Sequence, residues 1–254
     1  MEVTALVLTV GEKTTEEAIR RLKEQTVPCH EIIVVRNVTP FHKAINRGIS
    51  QVKTPFFLQC DADMLLDPDC IETMQKFVRD DTGVLIGYLS DELLGTVQAV
   101  KMFRTECIKK LMFSNSISPD TDCINRLSKM GWKFVFVSRG EERYDHAPDV
   151  LGAHRPEYTP LYTFEKFKLE GSRIRYRGVF QEFASCLEKL KDSQHHMAPI
   201  ALIGLCHGLF IEERKDRLRP YSPSKDFELL EKFMASMSME NVAFAITKGR
   251  YHSE

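Results

Sequence analysis

Two carboxylates spaced i, i+2 close an apolar run in Phe56-Phe57-Leu58-Gln59-Cys60-Asp61-Ala62-Asp63. A run of this kind predicts a strand buried on both faces. Acidic groups at the carboxyl end of a parallel strand lie where such sheets hold their ligands. Two carboxylates set together there are costly unless a cation or a hydrogen-bond network compensates them. Oxygen ligands suit a hard divalent cation, so these residues predict Mn²⁺ or Mg²⁺. The alternative is a solvated turn, with Asp67 and Asp69 merely adding charge. The apolar strand before the pair, and the helix that Pro68 should open after it, favour a ligand site.

The elements around this pair read as an alternation. Thr4 to Val10 and Glu31 to Val35 are short runs rich in β-branched residues, as in buried strands. Pro55 to Gln59, Gly83 to Tyr88, Thr96 to Phe103 and Lys133 to Val137 are further strands. Helices are expected from Thr14 or Thr15 to Gln25, from Phe41 to Val52, from Pro68 to Val78 and from Pro119 to Met130. Glu16 and Glu17 suit the first helix's positive end, and Gly131 suits the close of the last. This order predicts an α/β fold with a mostly parallel sheet and helices on both faces.

From Pro156 onward the periodicity turns helical, with candidates at Tyr162 to Leu169, Val179 to Leu190, Met197 to Ile211 and Phe227 to Met237. We therefore expect a core over 1–155 and a C-terminal helical appendage over 156–254. The appendage would serve one side of the ligand site or an oligomer contact. A basic aromatic stretch, Lys166, Lys168, Arg173, Arg175, Tyr176 and Arg177, follows or flanks an expected break at Gly171-Ser172. It reads as a solvated helix face, or else as a segment closing over an anionic ligand.

Composition narrows the class. The 254 residues carry 35 Lys+Arg against 36 Asp+Glu, so no whole-protein field draws nucleic acid or anionic lipid. The hydrophobic share of 43% is enough for a packed core. Seven scattered cysteines without a CxxC pair argue against a disulfide framework or a zinc ribbon. The N-terminal residues predict no signal peptide, and Met197 to Ile211 is too short to span a bilayer. A cytoplasmic protein is expected.

Several segments, in order, resemble family 2 glycosyltransferases of the GT-A fold. They are Leu6 to Val10, Arg20 to Thr26 (RRLKEQT), Glu31 to Val35 (EIIVV), Lys43 to Gly48 (KAINRG), Thr54 to Met64 (TPFFLQCDADM) and Ser118 to Val137. The resemblance covers roughly Val3 to Arg155. It implies a metal-dependent inverting transferase that moves a sugar from a nucleotide-diphosphate donor to an acceptor hydroxyl. It sets Asp61 and Asp63 as the DxD pair, Asp63 on the metal and Asp61 near the ribose or a metal-bound water. Asn37 and Asn46 fall on the nucleotide side. A metal-binding histidine is implied after the last core strand, with His154 preferred and His146 its competitor. Asp120 matches the general base, and Asp122 is the second candidate.

For these two the residues themselves also speak. Asp120 stands at the open end of its helix, where a base would be unpaired, whereas Asp122 can pair with Arg126 at i+4. An N-cap role for Asp120 is the plain alternative. The chain departs from the family at Arg36-Asn37, where an aspartate is usual, and at Pro119, where a glutamate is usual. These changes keep two other readings open. One is a degenerate module that binds a nucleotide or sugar without turnover. The other, which Met64-Leu65-Leu66 fits poorly, is an aspartate-dependent phosphohydrolase.

Overall fold

The computed structural model describes residues 1–139 and 149–210, with Phe227, Glu228, Glu231 and Lys232 beyond them. These fall into two compact units, Met1–Pro156 and a second beginning at Glu157.

The first unit begins with β1 (Val3–Thr9), buried along its whole length. α1 (Thr15–Lys23) follows and buries Thr15, Ala18, Ile19 and Leu22, the i, i+3, i+4, i+7 face of an amphipathic helix. β2 (Glu31–Arg36) and α2 (Phe41–Ile49) complete a crossover, and β3 (Phe56–Asp61) carries the first of the paired aspartates. Next come β4 (Met64–Leu66) and α3 (Cys70–Gln75), then the long hairpin β5 (Thr82–Asp91) and β6 (Gly95–Arg104). α4 (Thr105–Leu111), α5 (Pro119–Lys129), β7 (Lys133–Phe136) and β8 (Val150–His154) finish the unit.

The strands form one sheet in the order β2-β1-β3-β6-β5-β8-β4, with β7 also on β5. Alternate residues of β1 feed opposite cores. Val3, Ala5 and Val7 enter one cluster with Leu22 of α1 and Ile71 of α3, while Leu6 and Leu8 enter another with Ile45 of α2 and Leu127 of α5. Both faces are thus covered, as the unbroken apolar strands require.

The α/β fold is as expected, and its sheet is mixed rather than purely parallel: β1 pairs β2 and β3 in parallel, as β5 pairs β7 and β8. β6 runs antiparallel to both β3 and β5, and β4 antiparallel to β8. The physical reason is the connection from β5 to β6. A few residues ending at Gly95 (φ +72°) allow a hairpin, whereas a parallel return needs a crossover of a dozen or more. Between β3 and β6 the register sets Phe57 opposite Phe103, whose rings stack at 5.4 Å between centroids. Such a pair adds about 0.5–1.5 kcal/mol beyond its burial. The same register sets Lys101 opposite Gln59, two residues before Asp61.

Smaller differences concern one helix start and three further elements. The helix expected from Pro68 begins at Cys70, because Asp67 and Pro68 form a turn whose carbonyls accept from Gln25 Nε2 and Thr26 N. α4, β4 and β8 were not expected from the sequence pattern.

The second unit is helical. α6 (Pro160–Arg177) is capped by Thr159, whose hydroxyl accepts from Tyr162 N, and ends at Gly178 in the left-handed region. α7 (Phe180–Asp192) and α8 (Ala198–Phe210) follow. The helix expected at Phe227 to Met237 lies mostly outside the described residues. No break occurs at Gly171-Ser172. A Cβ on Gly171 would collide with the Leu205 carbonyl, and one on Gly208 with the Lys168 carbonyl, so the glycines let α6 and α8 cross backbone to backbone. The basic stretch is correspondingly a paired helix surface. Arg173 meets Glu170 at 2.9 Å, and Lys168 is buried beside Phe164. Gly208→Ala should therefore cost about 3 kcal/mol, the upper range for overpacking. Urea unfolding followed by circular dichroism reads this directly; an unchanged midpoint would refute the close crossing.

No helix among the described residues is long and apolar enough to cross a membrane. All seven cysteines are free thiols.

Candidate active site

Three strand ends bring Asp63, Asp91 and His154 together. Beyond β3, Ala62 N donates to the Leu8 carbonyl at 3.0 Å and keeps the chain against β1. Asp63 then precedes β4, whose pairing sets Met64 opposite His154, and Arg155 N donates to the Asp63 carbonyl at 2.7 Å. β8 can approach β4 this closely because Gly152 (φ +148°) has no Cβ to meet the Leu65 carbonyl. The other edge of β8 pairs with β5, with Asp91 opposite His154.

The histidine is held between two carboxylates. His154 Nδ1 lies 2.6 Å from Asp91 Oδ2, and Nε2 lies 3.4 Å from Asp63 Oδ2. The side chains of Asp91, Asp63 and His154 are 0%, 5% and 14% exposed. Asp91 Oδ1 accepts from Leu93 N and Leu94 N, both at 2.8 Å, which fixes the turn into β6 as well as the carboxylate. The separation of Nε2 from Asp63 Oδ2 suits one divalent cation. Two donors each about 2.1 Å from an ion, at angles from octahedral to tetrahedral, sit roughly 3.0–3.4 Å apart. Among the described residues, no group of three His, Cys, Asp or Glu side chains is arranged to hold a metal. His146 lies outside the described residues.

Asp61 takes a different direction from Asp63. It lines a cleft with Leu8, Thr9, Glu12, Val38 and Phe41, at the carboxyl ends of β1 and β3. The turn beside it is knit by Glu12, whose Oε2 accepts from Thr9 Oγ1 at 2.8 Å and Val10 N at 2.9 Å. Cys60 faces the core instead. Burial, and then the Asp61 charge, push its thiol well above the usual range, so it is an inert packing group. Asp67 and Asp69 are also engaged, by Arg139 at 2.8 and 2.5 Å. The Arg139 hydrogen bond holds the Asp69 carboxyl below its ordinary range.

The two asparagines divide. Asn37 is exposed at the end of β2 with φ +55°, a conformation asparagine tolerates, and its N–H donates to the Thr9 carbonyl. Asn46, less exposed, is tied into the fold. Its Nδ2 donates to the Phe113 carbonyl at 2.8 Å and its Oδ1 accepts from Phe113 N at 2.9 Å, so both ends of the amide clamp the segment after α4.

Both carboxylates in the first turn of α5 have cationic partners. Asp122 Oδ2 accepts from Ser114 Oγ at 2.6 Å and Arg126 Nε at 3.0 Å, while the other Arg126 nitrogens donate to the Leu111 and Met112 carbonyls. This cluster closes the end of α4 against α5. Arg126→Ala should cost about 1.5–3 kcal/mol, the scale for charged hydrogen bonds. Chemical denaturation measures that loss, and nucleotide affinity should hold; weakened nucleotide binding in a stable variant would reassign the residue. Asp120, expected to be unpaired, instead meets Lys101 Nζ at 3.0 Å. The lysine is buried in β6, and the pair keeps 11% and 24% of its side-chain surface. Lys101 lies opposite Gln59, so the pair holds Asp120 over the carboxyl-terminal part of β3.

Sequence reasoning missed Asp91 and Lys101. Each had a visible signal: Asp91 ends a long strand-forming run, and Lys101 interrupts Val100-Lys101-Met102-Phe103. Neither signal names a partner, because both partners come from distant chain.

Comparison with known proteins bears on what this arrangement belongs to. Residues 12–123 match the family described as Glycosyl transferase family 2. No curated protein matches the chain. Among solved structures, a mannosyltransferase, PcManGT from Pyrobaculum calidifontis in complex with GDP-Man and Mn²⁺, is similar with a TM-score of 0.53 at 13% identity. That likeness covers 100% of this chain and 88% of the other. TarS of S. aureus with UDP-GlcNAc is more distant, with a TM-score of 0.44 at 13% identity over 84% of this chain and 74% of that one. Residues 12–123 thus resemble glycosyl transferase family 2, and the mixed sheet with helices on both faces is the fold of that GT-A mannosyltransferase.

Proposed function

We propose that the protein transfers a sugar from a nucleoside-diphosphate donor to an acceptor hydroxyl with inversion, with help from a divalent cation. The observation that carries this reading is the facing of Asp63 Oδ2 and His154 Nε2 at 3.4 Å, both side chains being largely buried. Asp63 and His154 would hold Mn²⁺ or Mg²⁺, with Asp61 nearby on the nucleotide side. When bound, the cation neutralises the charge of the departing diphosphate. The remaining coordination falls to donor oxygens and water, as is usual for these ions. That PcManGT was studied with GDP-Man and Mn²⁺ supports testing this pair of ligands first.

The residues of the chain divide the other tasks. The cleft beside Asp61 receives the nucleoside, its apolar walls Leu8, Val38 and Phe41 suiting a base. Asp120 receives the proton of the acceptor hydroxyl. The Lys101 ammonium, 3.0 Å away, orients that carboxylate. We assign the helical residues from Glu157 to the acceptor side or to an oligomer contact, and the reaction to the cytoplasm, where free thiols persist.

A second reading, binding without turnover, is favoured by the Lys101 pair itself, since the candidate base is already engaged by a cation. The family match speaks against the phosphohydrolase. A thermal-shift screen of nucleoside diphosphates with and without Mn²⁺ tests binding, because a specific ligand stabilises the fold by mass action. Incubation with the best nucleotide's sugar donors then separates the readings. Metal-dependent release of nucleoside diphosphate supports the transferase, binding without release supports the inactive module, and no stabilisation by any nucleotide overturns both.

A further inference from the structure

Asp91 has no part in the chemistry proposed above, yet it is the most deeply buried carboxylate near it. Its two oxygens do different work. Oδ1 accepts from two backbone N–H groups, of Leu93 and Leu94, and Oδ2 lies 2.6 Å from His154 Nδ1. Two backbone donors on one oxygen stabilise the carboxylate, so Asp91 acts as an acceptor toward the ring. Nδ1 then carries the hydrogen, and Nε2, on the Asp63 side, is the nitrogen that offers a lone pair.

Resting on the metal reading above, we propose that Asp91 is a positioning residue that selects the cation-binding tautomer of His154. A histidine free to tautomerise spends part of its time with a hydrogen on the ligating nitrogen. Asp91 removes that state and also stops the ring from turning. Partners of this kind raise ligand basicity as well as fixing direction. Its position in the chain explains why the device is built in. The Asp91–Gly95 turn that starts β6 and the end of β8 meet at this one carboxylate.

Asp91→Asn isolates the effect. The amide oxygen can keep both bonds to Leu93 and Leu94, and the turn with them. The amide nitrogen must then face Nδ1, which becomes an acceptor and sends the ring hydrogen to Nε2. A protonated Nε2 cannot hold a cation. Mn²⁺ binding, followed by electron paramagnetic resonance with GDP or UDP present, should weaken about 10- to 100-fold, the usual cost of losing such a partner. The metal-free melting temperature should stay close to the parent's.

The controls keep the two ideas apart. If the parent protein binds Mn²⁺, Asp63→Asn loses it and Asp91→Asn binds as the parent does, this inference is overturned and the metal reading stands. If the parent binds no Mn²⁺ with either nucleotide, the metal reading fails and the inference with it. If Asp91→Asn melts early, ¹⁵N NMR of neutral His154 in the metal-free parent decides. Hydrogen on Nδ1 supports the assignment, and hydrogen on Nε2 refutes it.

Discussion

Asp63→Asn should remove Mn²⁺-dependent nucleotide binding almost completely while the protein stays folded. The side chain is 5% exposed and faces His154 Nε2 at 3.4 Å. Asparagine keeps its shape and one acceptor oxygen, so packing around β4 and β8 should survive. What it lacks is the charge that a hard cation seeks. Loss of a supporting partner alone costs roughly 10- to 100-fold in metal affinity, and loss of a ligand should reach at least the upper end, about 100-fold. Titration calorimetry with the nucleoside diphosphate, with and without Mn²⁺, gives the number. The metal-free affinity should move little, and the metal-free melting temperature only by a few degrees. A variant whose nucleotide affinity still responds to Mn²⁺ as the parent's does would end the assignment of Asp63 as a ligand.

Asp120→Asn should lower turnover by roughly 10²-fold or more, the range for losing a general base. Donor affinity should hardly change, because the residue acts on the acceptor. The Lys101 contact makes a companion experiment informative. Lys101→Met removes the cation that orients Asp120 and the charge contact made to this partly buried carboxylate from β6. It should cost about 2–3 kcal/mol of stability, below the range for a fully buried pair because Asp120 keeps 24% of its side-chain surface. Turnover should fall in the same direction as for Asp120→Asn, and by less. Steady-state rates with a competent acceptor measure both. Near-parent turnover in Asp120→Asn, with Asp122→Asn folded and inactive, would exchange the two roles. Full activity in both would move the base to another residue.

How far the chain could be read follows from the range of the interactions involved. β1, β2, β3, α1, α2 and α5 fall within a few residues of their expected limits, because apolar period, proline and terminal charges act over one or two turns. The short strands β4 and β8 escaped because each is only a few residues long and gains its order from the other. The antiparallel pairings within the sheet escaped because nothing local distinguishes a strand that turns back from one that crosses over. The expected break at Gly171-Ser172 failed for a related reason. Glycine weakens an isolated helix, yet here its missing side chain is what α8 needs.

The site divides along the same line. By itself the sequence determined the aspartate pair at the end of an apolar strand, the acidic start of α5, the i, i+4 pairing of Asp122 with Arg126, and a family likeness through its first half. All of these are short-range patterns. Only the tertiary structure decided that Asp61 and Asp63 diverge, that Asn46 is spent on Phe113, that Asp120 is paired, and that His154 stands between Asp63 and Asp91. Lys101 reaches Asp120 across 19 residues, and Asp91 reaches His154 across 63. Hydrogen bonds and charge contacts act over a few ångströms, and no local pattern records which distant residue the sheet's register will bring within that reach.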